Sequence, residues 1–370
     1  MKSIKKVGIL TFQSSDNFGA LLQAYGTYYT VKKLGFTPEI MNYYSPNKKE
    51  VYKILPISRN KSFKKNFIAI LKFPLRRDKK RKSDAFRKEK LHLSKEVLKS
   101  FDDLSSKEKE FSKVIVGSDQ VWNYHNTNFD KRYLLDFVFD SRKKVSYAPS
   151  FAVSEIEEKY QEAYAKLLRG FSSLSVREST GKRIIRELIG QDVEQVLDPT
   201  LLLTKEEWEH EISELKPQKE NYVLLYAVGN KNHSLKVAKQ LAKENHLKLV
   251  IIANDLKDFI SGGVAINPTI LGYVNLIKHS RYVVTSSFHG LAFSVNLNKN
   301  FICCLDINRK SNSRQLSLLE LTGLMDRLCY NNENIQINKY DEKTIEWSEV
   351  NQSLNEARKH ALNFLKEALS

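Results

Sequence analysis

The chain holds only three cysteines in 370 residues. Cys303 and Cys304 are adjacent within one apolar run and Cys329 follows another, too few and too clustered for a disulfide framework. They read as buried core thiols of a reducing compartment. No CxxC pair and no His/Cys spacing suggests zinc, and no acidic cluster suggests magnesium; no metal is expected. No apolar run reaches about 18 residues, which excludes a transmembrane helix. The opening Met1-Lys2-Ser3-Ile4-Lys5-Lys6 leads straight into a strand and lacks the apolar core and cleavage site of a secretory signal, so a cytoplasmic location is expected. A dinucleotide fingerprint is missing too. The first strand-to-helix turn carries one glycine, Gly19, where GxGxxG needs three, so a Rossmann cofactor is not expected. There is no internal repeat and no low-complexity tract.

What the chain does have is a globular balance of 41% hydrophobic and 28% charged residues, and length enough for roughly two domains. Its formal charge of +17 is concentrated: between Lys48 and Lys90, 17 lysines and arginines face four acids, leaving +13 there. The near-neutral remainder argues against a nucleic-acid surface spread over the fold. Within the basic segment Phe63, Phe67, Ile68, Ile70, Leu71 and Phe73 are interleaved with Lys61, Lys64, Lys65 and Lys72, and the run Arg76 to Lys82 follows. Aromatics with cations at helical spacing suit an interfacial element lying on an anionic bilayer, which would make the protein peripheral on the inner face of the plasma membrane. The plainer reading is a helical excursion with a solvated basic face. Nucleic acid ranks below both.

Elsewhere short apolar strands alternate with helical runs, as in doubly wound α/β domains. Lys6 to Phe12 is a strand. The polar turn Gln13 to Ala20 follows it, then a helix to Leu34 and a strand from Phe36 to Asn42. Asp16 and Asn17 in that turn and Gln23 just beyond it could hydrogen-bond a polyhydroxylated ligand, or equally serve as capping and turn residues. Val114 to Val116 is a strand ending in Gly117-Ser118-Asp119-Gln120-Val121-Trp122, which aims Ser118, Asp119 and Gln120 at the same sheet edge. Arg177 lies at a further strand-to-helix turn, and Asp198-Pro199 stops the last strand of the half. Strands are predicted again at Tyr222–Val228, Leu249–Ala253, Arg281–Thr285 and Phe301–Leu305, and Arg314 opens a helix. The limits expected are 1–200, with the basic insert at 46–95, then 201–345, then a terminal helix at 346–370 that crosses back onto the first domain.

The stretch Val283 to Phe293 concentrates the chemistry. A buried strand runs into Ser286-Ser287-Phe288-His289-Gly290 and then into a helix. Free N–H groups and the positive helix end at such a turn favour an anion, and His289 adds an imidazole. The plain alternative is that Ser286 caps the helix and His289 is a satisfied polar residue at a sheet edge.

Seven stretches together identify a resemblance: DNFGALLQAY (16–25), VIVGSDQVWN (114–123), SYAPS (146–150), SVRE (175–178), VLDPT (196–200), SSFHG (286–290) and NSRQLSLLELTGL (312–324). In this order the chain resembles the polysaccharide pyruvyl transferases of bacterial glycan clusters. The basic insert matches least. The resemblance implies two Rossmann-like domains in a glycosyltransferase-B-like pair with a cleft between them. It also implies a phosphoenolpyruvate donor, no further cofactor, and a glycan acceptor, expected to be lipid-linked, that leaves with a pyruvate ketal. Ketal formation adds one sugar hydroxyl at C2 and a proton at C3, and a neighbouring hydroxyl then displaces phosphate. Two anionic groups on the donor call for planar cations, and Arg177 and Arg314 match the family pattern, with domain closure expected to bring them together. Ser286, Ser287, His289 and Gly290 would complete the donor site, with His289 as general acid. Asp119 is the first choice for the base and Asp16 the second. Asp16, Asn17, Gln23, Ser118, Gln120 and Trp122 would face the acceptor sugar. A sugar-nucleotide glycosyltransferase on the same frame, or a catalytically silent glycan-binding or assembly protein, are the alternatives.

Overall fold

Uninterrupted apolar strands such as KVGIL and YVLLY are what a sheet covered on both faces requires, and parallel sheets result. The structure, a computed structural model, describes residues 5–48, 54–55, 57, 62–216, 221–309, 311–333, 337, 340 and 344–370. The start of the chain and part of the basic segment, residues 49–53, 56 and 58–61, lie outside the described residues. Two units are distinguished: Met1–Pro56, Ser83–Leu202 and Glu356–Ser370 form one, and Ile57–Lys82 with Leu203–Asn355 the other.

The first unit is built on β1 (Lys6–Leu10), β2 (Thr37–Ile40), β3 (Lys113–Asp119) and β4 (Lys144–Pro149), all parallel, in the order β2-β1-β3-β4. A short parallel pair, β5 (Ser175–Val176) and β6 (Glu194–Gln195), continues it through Ser146 N donating to Ser173 O and Arg177 N to Pro149 O. Helix α1 (Phe18–Lys33) starts where the Asn17 side chain accepts from Gly19 N at 2.9 Å, and most of its length is buried. Because the chain leaves β1 on one side for β2 and returns on the other for β3, the carboxyl ends of β1 and β3 form a topological switch point. The C-terminal helix Trp347–Leu369 supplies the last piece: Arg358 Nε donates to Leu201 O at 2.8 Å, and Phe364 lies 6.4 Å from Tyr147, ring to ring.

The second unit holds β7 (Tyr222–Tyr226), β8 (Lys248–Ile252), β9 (Val264–Ile266), β10 (Tyr282–Thr285), β11 (Phe301–Leu305) and β12 (Leu328–Tyr330). Their order, β12-β11-β10-β7-β8-β9, with all pairs parallel, is the Rossmann order in full. Val223, Leu225, Val284 and Ile302 from three strands of this sheet meet Val237, Ala238 and Leu241 of helix α2 (Asn232–Glu244) in its core. Here the switch point falls between β7 and β10.

The basic insert forms two helices, Phe63–Leu71 and Phe73–Lys90. Sequence reasoning placed it whole within the first domain, whereas Ile57–Lys82 groups with the second unit. Lys72 pairs with Asp255, and Asn267 Nδ2 donates to Asp78 Oδ2 at 2.8 Å, which fixes the junction of the two helices on the β8–β9 region. The strands β9 and β12 have no counterpart in the sequence reading. Each is three residues long, too short for periodicity to register.

Candidate functional site

Each unit offers one sheet edge at its switch point. In the first, β3 ends at Gly117-Ser118-Asp119. Gly117 has φ +151°, and a Cβ there would stand 1.8 Å from Tyr147 O on β4, so only glycine lets the strands approach this closely. Ser118 is fully buried: its Oγ donates to Ala148 O at 2.9 Å and to Asp198 Oδ2 at 3.1 Å, and its N–H donates to Gln23 Oε1. Gln23, equally buried, donates from Nε2 to Thr11 Oγ1 and Ala20 O, both at 2.8 Å. The two side chains lock helix α1 and Thr11, just past β1, to the end of β3, and neither reaches solvent where a sugar could meet it. Trp122 is 1% exposed, donates from Nε1 to Tyr133 O, and packs on Phe151 and Phe171. The acceptor-binding role expected for Gln23, Ser118 and Trp122 is therefore replaced by an architectural one. Gln120, half-buried, accepts from Asn123 Nδ2 at 2.9 Å. Asn17 is the helix cap already described.

Arg177 occupies the middle of this edge, its side chain 2% exposed. Its Nη1 donates to Asp198 Oδ2 at 2.6 Å, while Asp119 Oδ1 lies 3.8 Å from Nη2 and Glu178 Oε2 3.9 Å from Nε. Burial works against the guanidinium charge, but the three carboxylates outweigh it and raise the pKa. Asp198 also accepts from Thr200 N and Oγ1, which forms the turn before Pro199. With three carboxylates around it, Arg177 already has its charge compensated, and a doubly anionic donor would add repulsion. The arrangement suits it to holding Asp119, which is half-buried at the end of β3. Asp16 is engaged as well, paired at 2.7 Å with Arg87.

Arg87 was missed by sequence reasoning, where it sat inside a run of surface-looking cations. It is 5% exposed and donates from Nε to Gln13 O, from Nη2 to Ser15 O and from Nη1 to Asp84 Oδ1, at 2.6–2.7 Å. It thus pins the loop after β1.

At the second unit's switch point, Ser286 Oγ accepts from Val228 N at 3.0 Å and donates to Val228 O, tying the end of β10 to the end of β7. Ser287 caps helix α3 (Phe288–Asn296) by accepting from Gly290 N. His289 sits in the first turn, 6% exposed, with the Phe288 ring edge-on at 5.2 Å. A Cβ on Gly290 would lie 2.2 Å from Thr285 Oγ1. Gly290→Ala is expected to destabilise the protein by about 1–3 kcal/mol through overpacking, read as a fall in the denaturant midpoint at unchanged slope.

A cavity of ≈ 160 Å³ opens at the same edge. Its walls include Gly229 and Asn230 after β7, Ser286 after β10, Asp306, Arg309 and Asn312 after β11, and His233 on α2. His289, buried in the first turn of the helix that follows Ser286, is not part of this wall. Gly229 has φ +81°, and Arg309 Nη1 comes within 3.7 Å of where its Cβ would be, so the guanidinium lies over the bare turn. Arg314, 7% exposed, is in the first turn of the helix Ser313–Leu321, which begins beside Asn312. Of the residues that sequence reasoning singled out here, Ser286 lines the cavity and Arg314 does not, while Arg309 and Asn230, which do line it, were not singled out. The available signal was their place in polar loops that follow predicted strands.

Beneath the cavity, Cys304 and Cys329 are register partners of β11 and β12, and Cys329 Sγ lies 3.4 Å from His233 Nε2. All three cysteines are buried. Hydrogen bonding from the Cys304 thiol pulls the Cys329 pKa down, while burial pushes Cys304 up. No group of three or more metal-ligating side chains occurs among the described residues.

A sequence model of the family described as polysaccharide pyruvyl transferase matches residues 17–307. No curated protein sequence matches the chain. Among solved structures, a putative UDP-N-acetylglucosamine 2-epimerase from Listeria monocytogenes is similar with TM-score 0.52 at 9% identity, over 98% of this chain and 94% of that one. The UDP-GlcNAc 2-epimerase from Neisseria meningitidis, bound to UDP-GlcNAc, gives 0.51 at 12% identity, over 98% and 99%. A glycosyltransferase from Rickettsia africae ESF-5 gives 0.48 at 12% identity, over 100% and 95%. At such identities the two epimerases speak to fold alone: α/β, with two Rossmann-like units of the glycosyltransferase-B kind.

Proposed function

The chain belongs to the polysaccharide pyruvyl transferase family, and from that premise we propose that it moves the pyruvyl group of phosphoenolpyruvate onto a sugar of a lipid-linked glycan. The observation that carries the donor assignment is the polar cavity at the switch point of the second unit, whose walls hold the cation Arg309 and the carboxylate Asp306. There Arg309 overlies a glycine turn, and Ser286, Asn230 and Asn312 offer polar atoms. Arg314 and His289 stand in the first turns of the two helices that begin at this edge. Helix starts and guanidinium groups are the natural partners of phosphate and carboxylate. In this reading His289 delivers the proton that C3 of the enol gains as the first sugar hydroxyl adds to C2. A neighbouring hydroxyl then forms the second C–O bond, and the C2–O bond to phosphate breaks, the electron pair leaving with the phosphate. The two sugar hydroxyls each give up a proton, the first to a general base and the second to the departing phosphate. No cofactor or metal enters this scheme.

The test is phosphate release. With phosphoenolpyruvate and a lipid-linked oligosaccharide fraction, one phosphate per ketal is expected, and none without acceptor. Release of nucleotide from a sugar nucleotide, with phosphoenolpyruvate untouched, would instead support the glycosyltransferase reading. Arg309→Ala is expected to raise the KM for phosphoenolpyruvate by about 10–100-fold, the worth of a charged hydrogen bond, with a smaller change in kcat.

A further inference from the structure

Helix Phe63–Leu71 is amphipathic, but it is turned the wrong way round for a globular protein. Phe63, Phe67, Ile70 and Leu71 share one face at i, i+4, i+7 and i+8, and this face looks out to solvent. Phe63 is 87% exposed and the other three about half, whereas the one buried residue of the helix is Ala69, on the opposite side. The Phe63 and Phe67 rings stack on each other at 6.4 Å.

A second exposed apolar element belongs to the same unit. The turn Leu256–Ile260 and strand β9 present Phe259 at 51%, Ile260 at 85% and Val264 at 58% exposure. The two elements meet at one joint, because Lys72, the residue that ends the helix, pairs with Asp255, the residue that caps the turn. Around the joint the charge is one-sided. From Phe63 to Lys82 there are nine lysines and arginines and one acid, Asp78, itself paired with Arg81 and Lys82. Lys64, Lys65, Arg76, Arg77 and Arg81 are exposed.

We propose that this surface, the Phe63–Leu71 helix together with the Phe259–Val264 segment, docks the second unit onto an anionic lipid bilayer. Aromatic and aliphatic side chains standing out of a basic surroundings fit the boundary between headgroups and acyl chains, and the local acids are already neutralised from within. A protein partner of ordinary kind would be met by a more balanced rim. The segment around Ile260 is the part that sequence reasoning did not contain. The inference is independent of the donor assignment, since none of these residues lines the cavity.

Flotation of the full chain with phosphatidylcholine vesicles, with and without phosphatidylglycerol, tests it. Wild type is expected to float with the anionic vesicles alone, less so as salt is raised. Phe63→Asp with Phe67→Asp, and separately Ile260→Asp, should each weaken partitioning by about tenfold or more. Arg76→Glu with Arg77→Glu should weaken it mainly at low salt. All these positions are exposed, so thermal melts and phosphoenolpyruvate binding should stay at wild-type values. Wild type remaining unbound to anionic vesicles would overturn the proposal, as would unchanged flotation of the Phe63/Phe67 variant. So would a wild-type dimer that the same variant makes monomeric while vesicle binding is absent, because the face would then be covered by a second copy.

Discussion

Replacing His289 by alanine or glutamine is expected to lower pyruvyl transfer by about 10²–10⁴-fold, the range that a positioned general acid supplies. The glutamine variant is the stricter of the two. It keeps most of the volume of a side chain that is 6% exposed, so packing against Phe288 survives, but it has no proton to give at C3. Both variants should retain phosphoenolpyruvate binding within about tenfold, because Arg309, Arg314 and the helix starts remain. The split between kcat and KM carries the information. A variant that turns over normally removes the imidazole from the chemistry, and one that only fails to bind makes it a phosphate ligand.

Arg177→Ala is expected to act on stability first. Asp198 and Glu178 are both buried to 1% exposure or less, and the arginine is the cation they share. Deleting one partner of a buried ion pair costs about 3–5 kcal/mol, because the remaining carboxylates lose their counter-charge in a place water does not reach. For a domain of this size that is a fall in Tm of about 6–20 °C. Arg177→Lys should recover little of it, since one ammonium cannot span Asp198 and Asp119 as the guanidinium does. Calorimetry reads the effect directly. A near-normal Tm together with a raised KM for phosphoenolpyruvate would return Arg177 to the donor-binding role that the family resemblance implies.

Much of the frame was readable from the sequence for a plain reason. Buried parallel strands such as Tyr222–Tyr226 and Phe301–Leu305 are apolar throughout, and the glycine or polar turns that follow them mark the functional edge. The strand-turn-helix at 282–296 came through for the same cause, although the cap expected at Ser286 falls one residue on, at Ser287. Individual roles came through less well. Gln23, Ser118 and Trp122 look like ligand-facing polar and aromatic residues in one dimension, and only the register of β1, β3 and β4 shows that they face each other and the core. Arg87 is the converse case. Among the described cations of the insert it is the buried one, and nothing in its neighbours' identities distinguishes it. The exposed face of Phe63–Leu71 had a sequence signal, aromatic spacing amid lysines, but its partner at Ile260 had none, since isolated apolar residues in a turn are ordinary.

The most direct test of the account is a crystal of the protein soaked with phosphoenolpyruvate. The phosphate is expected between Arg309, Ser286 and the start of the Ser313–Leu321 helix, at the carboxyl edge of β7 and β10. Donor density on the first unit, lodged against Arg177 with this cavity empty, would contradict it.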